Sequence, residues 1–190
     1  YDEIGEHFPY KTVLIDECEA DDVIGTLVDA SQEFGKNEPI MIVSSDKDFA
    51  QLQKYNNVKQ YSPLKKTFVV ENNPRQQLLE LILKGDTSDG VPNVLSNDNC
   101  FVEGIRQTPM RQTTIDTLVE DIKAMGDEVY RNYCRNKKLI DLEETPSLVK
   151  SKILNSFDEQ DNIVNNRSKV FPYLVENRCR MLLEDIEDFI

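Results

Sequence analysis

The sequence lacks the apolar stretch that a membrane requires. Its longest apolar runs, Ile40-Met41-Ile42-Val43 and Leu78-Leu79 with Leu81-Ile82-Leu83, fall far short of the roughly 20 residues of a spanning helix. A soluble protein with no membrane partner is expected. CxxC pairs are missing too. The four cysteines, Cys18, Cys100, Cys134 and Cys179, are scattered along the chain, which argues against a disulfide framework or a zinc site and fits a reducing cytoplasm. The single histidine, His7, has no acid or nucleophile motif around it and reads as a surface or helix-end residue. Ser44 and Ser45 have neither a nucleophile elbow nor a histidine partner, so no hydrolase triad is indicated. Positive charge is scarce: 22 Lys and Arg stand against 35 Asp and Glu, a net charge of −13. Such a chain repels nucleic acid unless metal ions or a local basic face intervene. Tyr1 is not a start methionine and nothing resembles a signal peptide, so a fragment of a longer protein is expected.

What is present is enough for one sizeable core or two small ones in 190 residues. Thr12-Val13-Leu14-Ile15 and Ile40-Met41-Ile42-Val43 read as buried strands, each ending in acids. Between them Ala20, Val23, Ile24, Leu27 and Val28 recur at helical spacing, with Gly35 as the stop. This strand-helix-strand unit predicts an α/β fold with a parallel sheet. A short helix is expected over Asp48 to Lys54, then strands over Val58 to Ser62 and Thr67 to Val70 that pair across Pro63-Leu64-Lys65-Lys66. Pro74 opens a helix that Gly85 closes. Beyond it the pattern is helical: Thr113 to Met125, Asp127 to Asn136, Ser147 to Ser156 and Leu174 to Ile186, with a polar loop over Asp158 to Ser168. The expected division is an α/β core over 1–85 and a helical region over 86–190.

The chemistry lies where strands end. Glu19-Ala20-Asp21-Asp22 follows the first strand, Asp46-Lys47-Asp48 the second, and Asp86-Thr87-Ser88-Asp89 the helix that stops at Gly85. Loops at the carboxyl ends of parallel strands converge on one crevice. Carboxylates crowded there cannot all ionise without a compensating charge, and all-oxygen ligation suits Mg²⁺ or Mn²⁺. Two such ions roughly 4 Å apart can activate a water and stabilise the leaving oxygen of a phosphodiester. Taken singly, the same acids are ordinary helix-start residues, with Asp46 an N-cap. Tyr55, Tyr61, Phe68 and Phe101 fit a core as well as a base-stacking surface.

The three motifs E-A-D-D-V-I-G-T-L (Glu19 to Leu27), S-S-D-K-D-F-A-Q-L (Ser44 to Leu52) and L-K-G-D-T-S-D-G-V-P (Leu83 to Pro92) resemble, in order and spacing, those of the 5′-nuclease family. That family includes flap endonucleases and the 5′-nuclease domains of bacterial DNA polymerases. V-K-Q-Y-S-P (Val58 to Pro63) and V-E-G-I-R-Q-T-P (Val102 to Pro109) are similar to its branch formed by the ribonuclease H of T-even-type bacteriophages. The resemblance implies a PIN-like nuclease core followed by a helix-three-turn-helix region. It implies a first metal site at Glu19 and Asp21 with Asp22 beside it, and a second at Asp46, Asp48 and Asp89 with Asp86 in support. The implied activity is a Mg²⁺- or Mn²⁺-dependent 5′-3′ exonuclease and flap endonuclease with RNase H activity, removing RNA primers during phage DNA replication in the host cytoplasm. Its substrates would be RNA:DNA hybrids and duplex DNA with a 5′ end or flap. A phage single-stranded-DNA-binding protein is the implied partner, and a monomer the expected state.

Two departures from the family matter. Its leading strand, two further metal-binding aspartates and the helical arch precede E-A-D-D, and none of them precedes Tyr1, so this chain alone is expected to be a poor catalyst. The glycine-rich G-I-G-x-K-T-A turn of cellular relatives is absent, and Leu95 to Gly104 reads L-S-N-D-N-C-F-V-E-G instead. Arg106, Arg111, Arg131, Arg135, Lys137 and Lys138 are the candidate phosphate contacts, with a solvated helix face as the alternative. Two rival functions stand beside the nuclease: a non-catalytic nucleic-acid-binding module, and a phosphatase with an aspartyl nucleophile.

Overall fold

A computed structural model describes residues 1–34, 38–160 and 167–189, apart from the side chains of Phe34 and Arg167. In chain order the elements are helices α1 (Asp2–His7) and α2 (Ala20–Phe34), strand β1 (Ile40–Val43), a 3₁₀ helix (Asp48–Lys54), and strands β2 (Val58–Ser62) and β3 (Thr67–Val69). Helices α3 (Pro74–Lys84), α4 (Gln112–Glu120), α5 (Asp127–Ile140), α6 (Ser147–Asp158), α7 (Arg167–Glu176) and α8 (Arg180–Glu184) follow, with 3₁₀ turns at Leu142–Glu144 and Ile186–Phe189. The fold is mixed α/β: a small sheet and a helical region. No helix among the described residues is long and apolar enough to cross a membrane. The contacts divide the chain into two units, Ala20–Pro146 and Tyr1–Glu19 with Ser147–Ile190.

In the larger unit the sheet order is β1-β2-β3. β1 and β2 run parallel, with Ile40 opposite Val58, and β2 and β3 antiparallel, with Gln60 opposite Val69. The β2-β3 hairpin forms where Pro63-Leu64-Lys65-Lys66 predicts it. Apolar residues of α2 and of the Asp48–Lys54 turn cover the sheet in a core of Val28, Ile42, Phe49, Leu52 and Val58, flanked by Ile24, Tyr55 and Leu142. Helices α3, α4 and α5 build a second core around Leu83, Val94, Ile115 and Leu118. Asn73 caps α3, its side chain accepting the Gln76 N–H ahead of Pro74. At the other end Gly85 turns at φ 66°, and a Cβ there would lie 2.4 Å from the Val91 carbonyl oxygen. Only glycine lets the chain close back through the Asp86-Val91 bridge.

The smaller unit packs Phe8 against Val170 and Leu174, with Tyr173, Leu183, Ile186 and Phe189 around them. His7 ends α1 and stacks on Tyr173 with ring centroids 4.7 Å apart.

Four expectations are corrected. Thr12 to Ile15 is not a strand. Its backbone finds no ladder, because the Gln160 side-chain amide takes both the N–H and the C=O of Thr12 (2.8 and 2.9 Å), and Leu14 is 68% exposed. The parallel sheet is consequently a mixed one, with a single parallel pair among the described residues, whose connection is the Asp48–Lys54 turn rather than α2. The helix expected over Leu174 to Ile186 is broken: Arg178 adopts φ 55°, Cys179 donates back to Leu174, and α8 and the last 3₁₀ turn fold onto Phe8 and Val170. Helix α4 stops at Glu120 rather than Met125, since the Asp121 carboxylate accepts the Lys123 N–H and opens a turn. Gly35 lies outside the described residues, as does the 161–166 part of the expected polar loop, of which Asp158 ends α6 and Ser168 lies in α7.

Candidate metal centre

The ladder runs one residue past β1, where the Ser44 N–H reaches the Tyr61 carbonyl at 3.0 Å. The chain then turns sharply. Ser44 Oγ accepts the Asp46 N–H (3.1 Å) and Asp46 Oδ1 accepts the Asp48 N–H (3.0 Å), which starts the 3₁₀ helix. The neighbouring strand clamps this turn from beneath. Gln60, wholly buried on β2, donates through Nε2 to the carbonyls of Ser44 (3.0 Å) and Asp46 (2.6 Å), and Ser62 Oγ lies 2.8 Å from Ser45 Oγ. Phe49 and Leu52 anchor the following turn in the core. Asp48 is thus fixed, half-buried, at the sheet's edge.

A second loop meets it from the end of α3. Past Gly85, Asp86 is buried, and its Oδ1 accepts the backbone N–H of Ser88 at 2.9 Å together with the Ser88 hydroxyl. Its Oδ2 lies 2.6 Å from Lys47 Nζ. Asp89 stands exposed on the same loop. Asp48, Asp86 and Asp89 each bring one carboxylate oxygen to within 4.8 Å of the others.

The charges are unevenly settled. Burial, then the charges of Asp46, Asp86 and Asp21, push the Asp48 carboxyl up to about 6, against the opposing pull of Lys47. Burial also works to raise Asp86, but the hydrogen bonds from Lys47 and Ser88 win and hold it below the usual carboxylate range. Lys47 is raised in turn, chiefly by its bond to Asp86 and then by the charges of Asp86, Asp48 and Asp89, against its own desolvation. Asp48 Oδ1 is buried and accepts no hydrogen bond from the described residues. Three converging carboxylates with an orphaned buried oxygen fit a hard divalent cation, because all donors are oxygen and the site holds excess negative charge.

The remaining candidates are placed as follows. Asp21, in the first turn of α2, is near enough to raise Asp48. Asp22 Oδ1 accepts the Thr145 hydroxyl at 2.8 Å. Glu19 is exposed and belongs to the smaller unit. Asp46 stands outside the trio, with its Oδ1 on the Asp48 N–H. Among the basic residues, Arg106, Arg111 and Lys138 are exposed. Arg131 donates to Asn132 and Asp98, while Lys137 pairs with Asp141 and Glu144. Arg135 spends its three nitrogens on Asn136, Asp98 and the Pro92 carbonyl. Sequence reasoning missed Gln60 and Lys47. The signal for Lys47 was its place between two acids; for Gln60 none existed beyond its position on the buried side of β2.

Comparison with known proteins agrees with this architecture. Residues 1–79 match the family model of the 5′-3′ exonuclease N-terminal resolvase-like domain, and residues 73–189 that of the T4 RNase H C-terminal domain. The chain is 34% identical over 198 aligned residues to the ribonuclease H of Enterobacteria phage T4, a match that takes in 99% of this chain and 63% of the relative. It therefore spans less than two thirds of that relative's length. With the two family models matched in order across residues 1–189, the longer match being that of the T4 RNase H C-terminal domain, the chain belongs to the T4-type ribonuclease H branch of the 5′-3′ exonuclease family.

Proposed function

We propose that this protein is a divalent-metal-dependent, structure-specific 5′-nuclease, a 5′-3′ exonuclease and flap endonuclease with RNase H activity, that removes RNA primers during phage DNA replication. The observation that carries the reading is the meeting of Asp48, Asp86 and Asp89 from two loops at one edge of the sheet. In a family of exonucleases, that is where a phosphodiester would be cut. Asp21, in the first turn of α2, would hold one ion, with Asp22 beside it anchored by the Thr145 hydroxyl. Asp48, Asp86 and Asp89 would hold the other, with Asp46 beside them bracing the turn and Ser88 anchoring Asp86. When bound, Mg²⁺ or Mn²⁺ supplies charge neutralisation for the attacked phosphate and lowers the pKa of water.

The protein's own part is positioning. Gln60 holds the turn that presents Asp46 and Asp48, and Gly85 aims the Asp86-Asp89 loop at it. Arg106, Arg111 and Lys138, exposed in the helical region from residue 86 onward, would contact phosphates of the duplex without reading sequence. Arg131, Arg135 and Lys137, already engaged within the fold, would contribute to that face mainly by shaping it.

The test is cleavage by the full-length protein of a 5′-labelled RNA:DNA hybrid and a 5′-flapped duplex, with Mg²⁺ and with EDTA, beside the Asp48→Asn and Asp89→Asn variants. The nuclease reading expects Mg²⁺-dependent release of short products by the wild type alone, with substrate binding retained by all. Normal binding with no cleavage by the wild type would leave only the binding-module alternative.

A further inference from the structure

Between the two acids of the Asp46-Lys47-Asp48 turn stands a lysine for which the nuclease reaction has no part. Its Nζ lies 2.6 Å from Asp86 Oδ2, and it feels the charges of Asp48 and Asp89 as well. One ammonium therefore sits on one carboxylate of the trio and is within the field of the other two. The two partners differ in freedom. Asp86 is held by Ser88 and its side chain is 6% exposed, so its Oδ2 cannot turn away. The Lys47 side chain is 57% exposed on a flexible four-carbon stem, so its ammonium can leave. Its backbone is fixed, because Gln60 clamps the adjoining carbonyls of Ser44 and Asp46. The ammonium thus stays tethered within reach of the trio at high effective concentration.

A divalent ion takes carboxylate oxygens at roughly 2.0–2.1 Å. Seated on Asp86 Oδ2, it would bring two positive charges against an ammonium already touching that oxygen, and at such separations the repulsion outweighs what the ammonium gains from that oxygen. One cation must yield.

We propose that Lys47 is a tethered competitor for the divalent cation: its ammonium neutralises the Asp48-Asp86-Asp89 trio in the metal-free protein and must leave Asp86 for the metal to bind, so that Lys47 sets the metal affinity of the site. The proposal rests on the reading of the trio as a metal site. It accounts for a buried carboxylate cluster that folds without metal, and for a cation placed where a purely metal-binding turn would carry none.

The experiment is calorimetric titration of the full-length protein with Mg²⁺ and, separately, Mn²⁺, for the wild type, Lys47→Met, Lys47→Gln and Lys47→Arg. Melting temperatures in EDTA and in saturating Mg²⁺ accompany it. Lys47→Met and Lys47→Gln are expected to bind Mg²⁺ about five- to tenfold more tightly, since the pair that metal must break joins one buried and one exposed group. Both should melt lower than wild type in EDTA and gain more from Mg²⁺, whereas Lys47→Arg keeps the cation and the wild-type affinity. If the wild type binds Mg²⁺ and the two neutral variants bind it equally or more weakly, the competitor role is overturned and the metal site stands. If neither the wild type nor any variant binds metal, the metal-site reading falls and the competitor role falls with it.

Discussion

Neutralising Asp48 should stabilise the metal-free protein while destroying its metal binding. Asp48 titrates near 3.8 in an unfolded chain and is pushed to about 6 here by burial and by Asp46, Asp86 and Asp21. At about 1.4 kcal/mol per pKa unit, that shift corresponds to roughly 3 kcal/mol against the folded state once Asp48 is ionised. The carboxyl is only half-buried, so solvent screening reduces this to about 1 kcal/mol. The direction follows from proton linkage. A raised folded-state pKa means the folded protein holds a proton that the unfolded chain has released. The site is therefore unpenalised below pH 3.8, progressively penalised as pH rises, and fully so above about 6. Asp48→Asn carries no such charge, and the turn's hydrogen bond uses the Asp48 backbone N–H, which the variant keeps. In EDTA at pH 8 the variant should melt about 2–4 °C above wild type, as about 1 kcal/mol implies for a chain of this size. At pH 4 the gain should nearly vanish. Saturating Mg²⁺ at pH 8 should reverse the ranking, because it stabilises only the protein that binds it. Scanning calorimetry at the two pH values, with and without Mg²⁺, measures all of this. A variant that melts below wild type in EDTA at pH 8, or that gains as much at pH 4, would refute the argument that Asp48 is strained by its neighbours' charge.

Three other perturbations separate positioning from support. Gln60→Leu removes the two hydrogen bonds to the Ser44 and Asp46 carbonyls inside the core, so chemical denaturation should show a loss of about 1–3 kcal/mol and calorimetry a weakened Mg²⁺ affinity. Gly85→Ala places a methyl 2.4 Å from the Val91 carbonyl at a positive φ, and a loss of at least about 2 kcal/mol in urea unfolding, with the Asp86-Asp89 loop displaced from Asp48, is the expected outcome. Arg135→Ala should lower the melting temperature by releasing the Pro92 carbonyl and Asp98, whereas Lys138→Ala should leave it unchanged and weaken duplex binding with a smaller salt slope by fluorescence anisotropy.

Much of the fold is legible because its signals are local. The Asn73-Pro74 start and Gly85 stop define α3, and the alternation of Val58, Gln60 and Ser62 on the buried side defines β2. The failures share a cause. Thr12 to Ile15 has the composition of a buried strand, yet strand formation depends on a neighbour, and in this chain a glutamine 148 residues away takes the Thr12 backbone instead. Leu183 and Ile186 keep helical spacing with Leu182, but spacing does not reveal that Arg178 turns the chain and lets Leu183 and Ile186 pack into the Phe8 cluster while Leu182 stays exposed.

The candidate site divides along the same line. That acids cluster after β1 and after α3 is written in the sequence; which oxygens meet is a property of the loops. Asp46 and Asp48 are two residues apart and look equivalent, but the turn points one carboxylate at a backbone N–H and leaves the other with an unpaired buried oxygen. Asp86 and Asp89 look equivalent as well, yet the Gly85 reversal buries the first and exposes the second. Lys47 shows the limit most clearly. In the sequence it is one of 22 basic residues, and its place between two acids does not reveal that Asp86 is the carboxylate that holds it. Its partner lies 39 positions further along the chain, brought there by a helix whose length is set by Pro74 and Gly85. The same construction that would seat a divalent cation on the trio also supplies the ammonium that would contest it, so on this proposal affinity would be decided jointly by the acids and by the lysine between them.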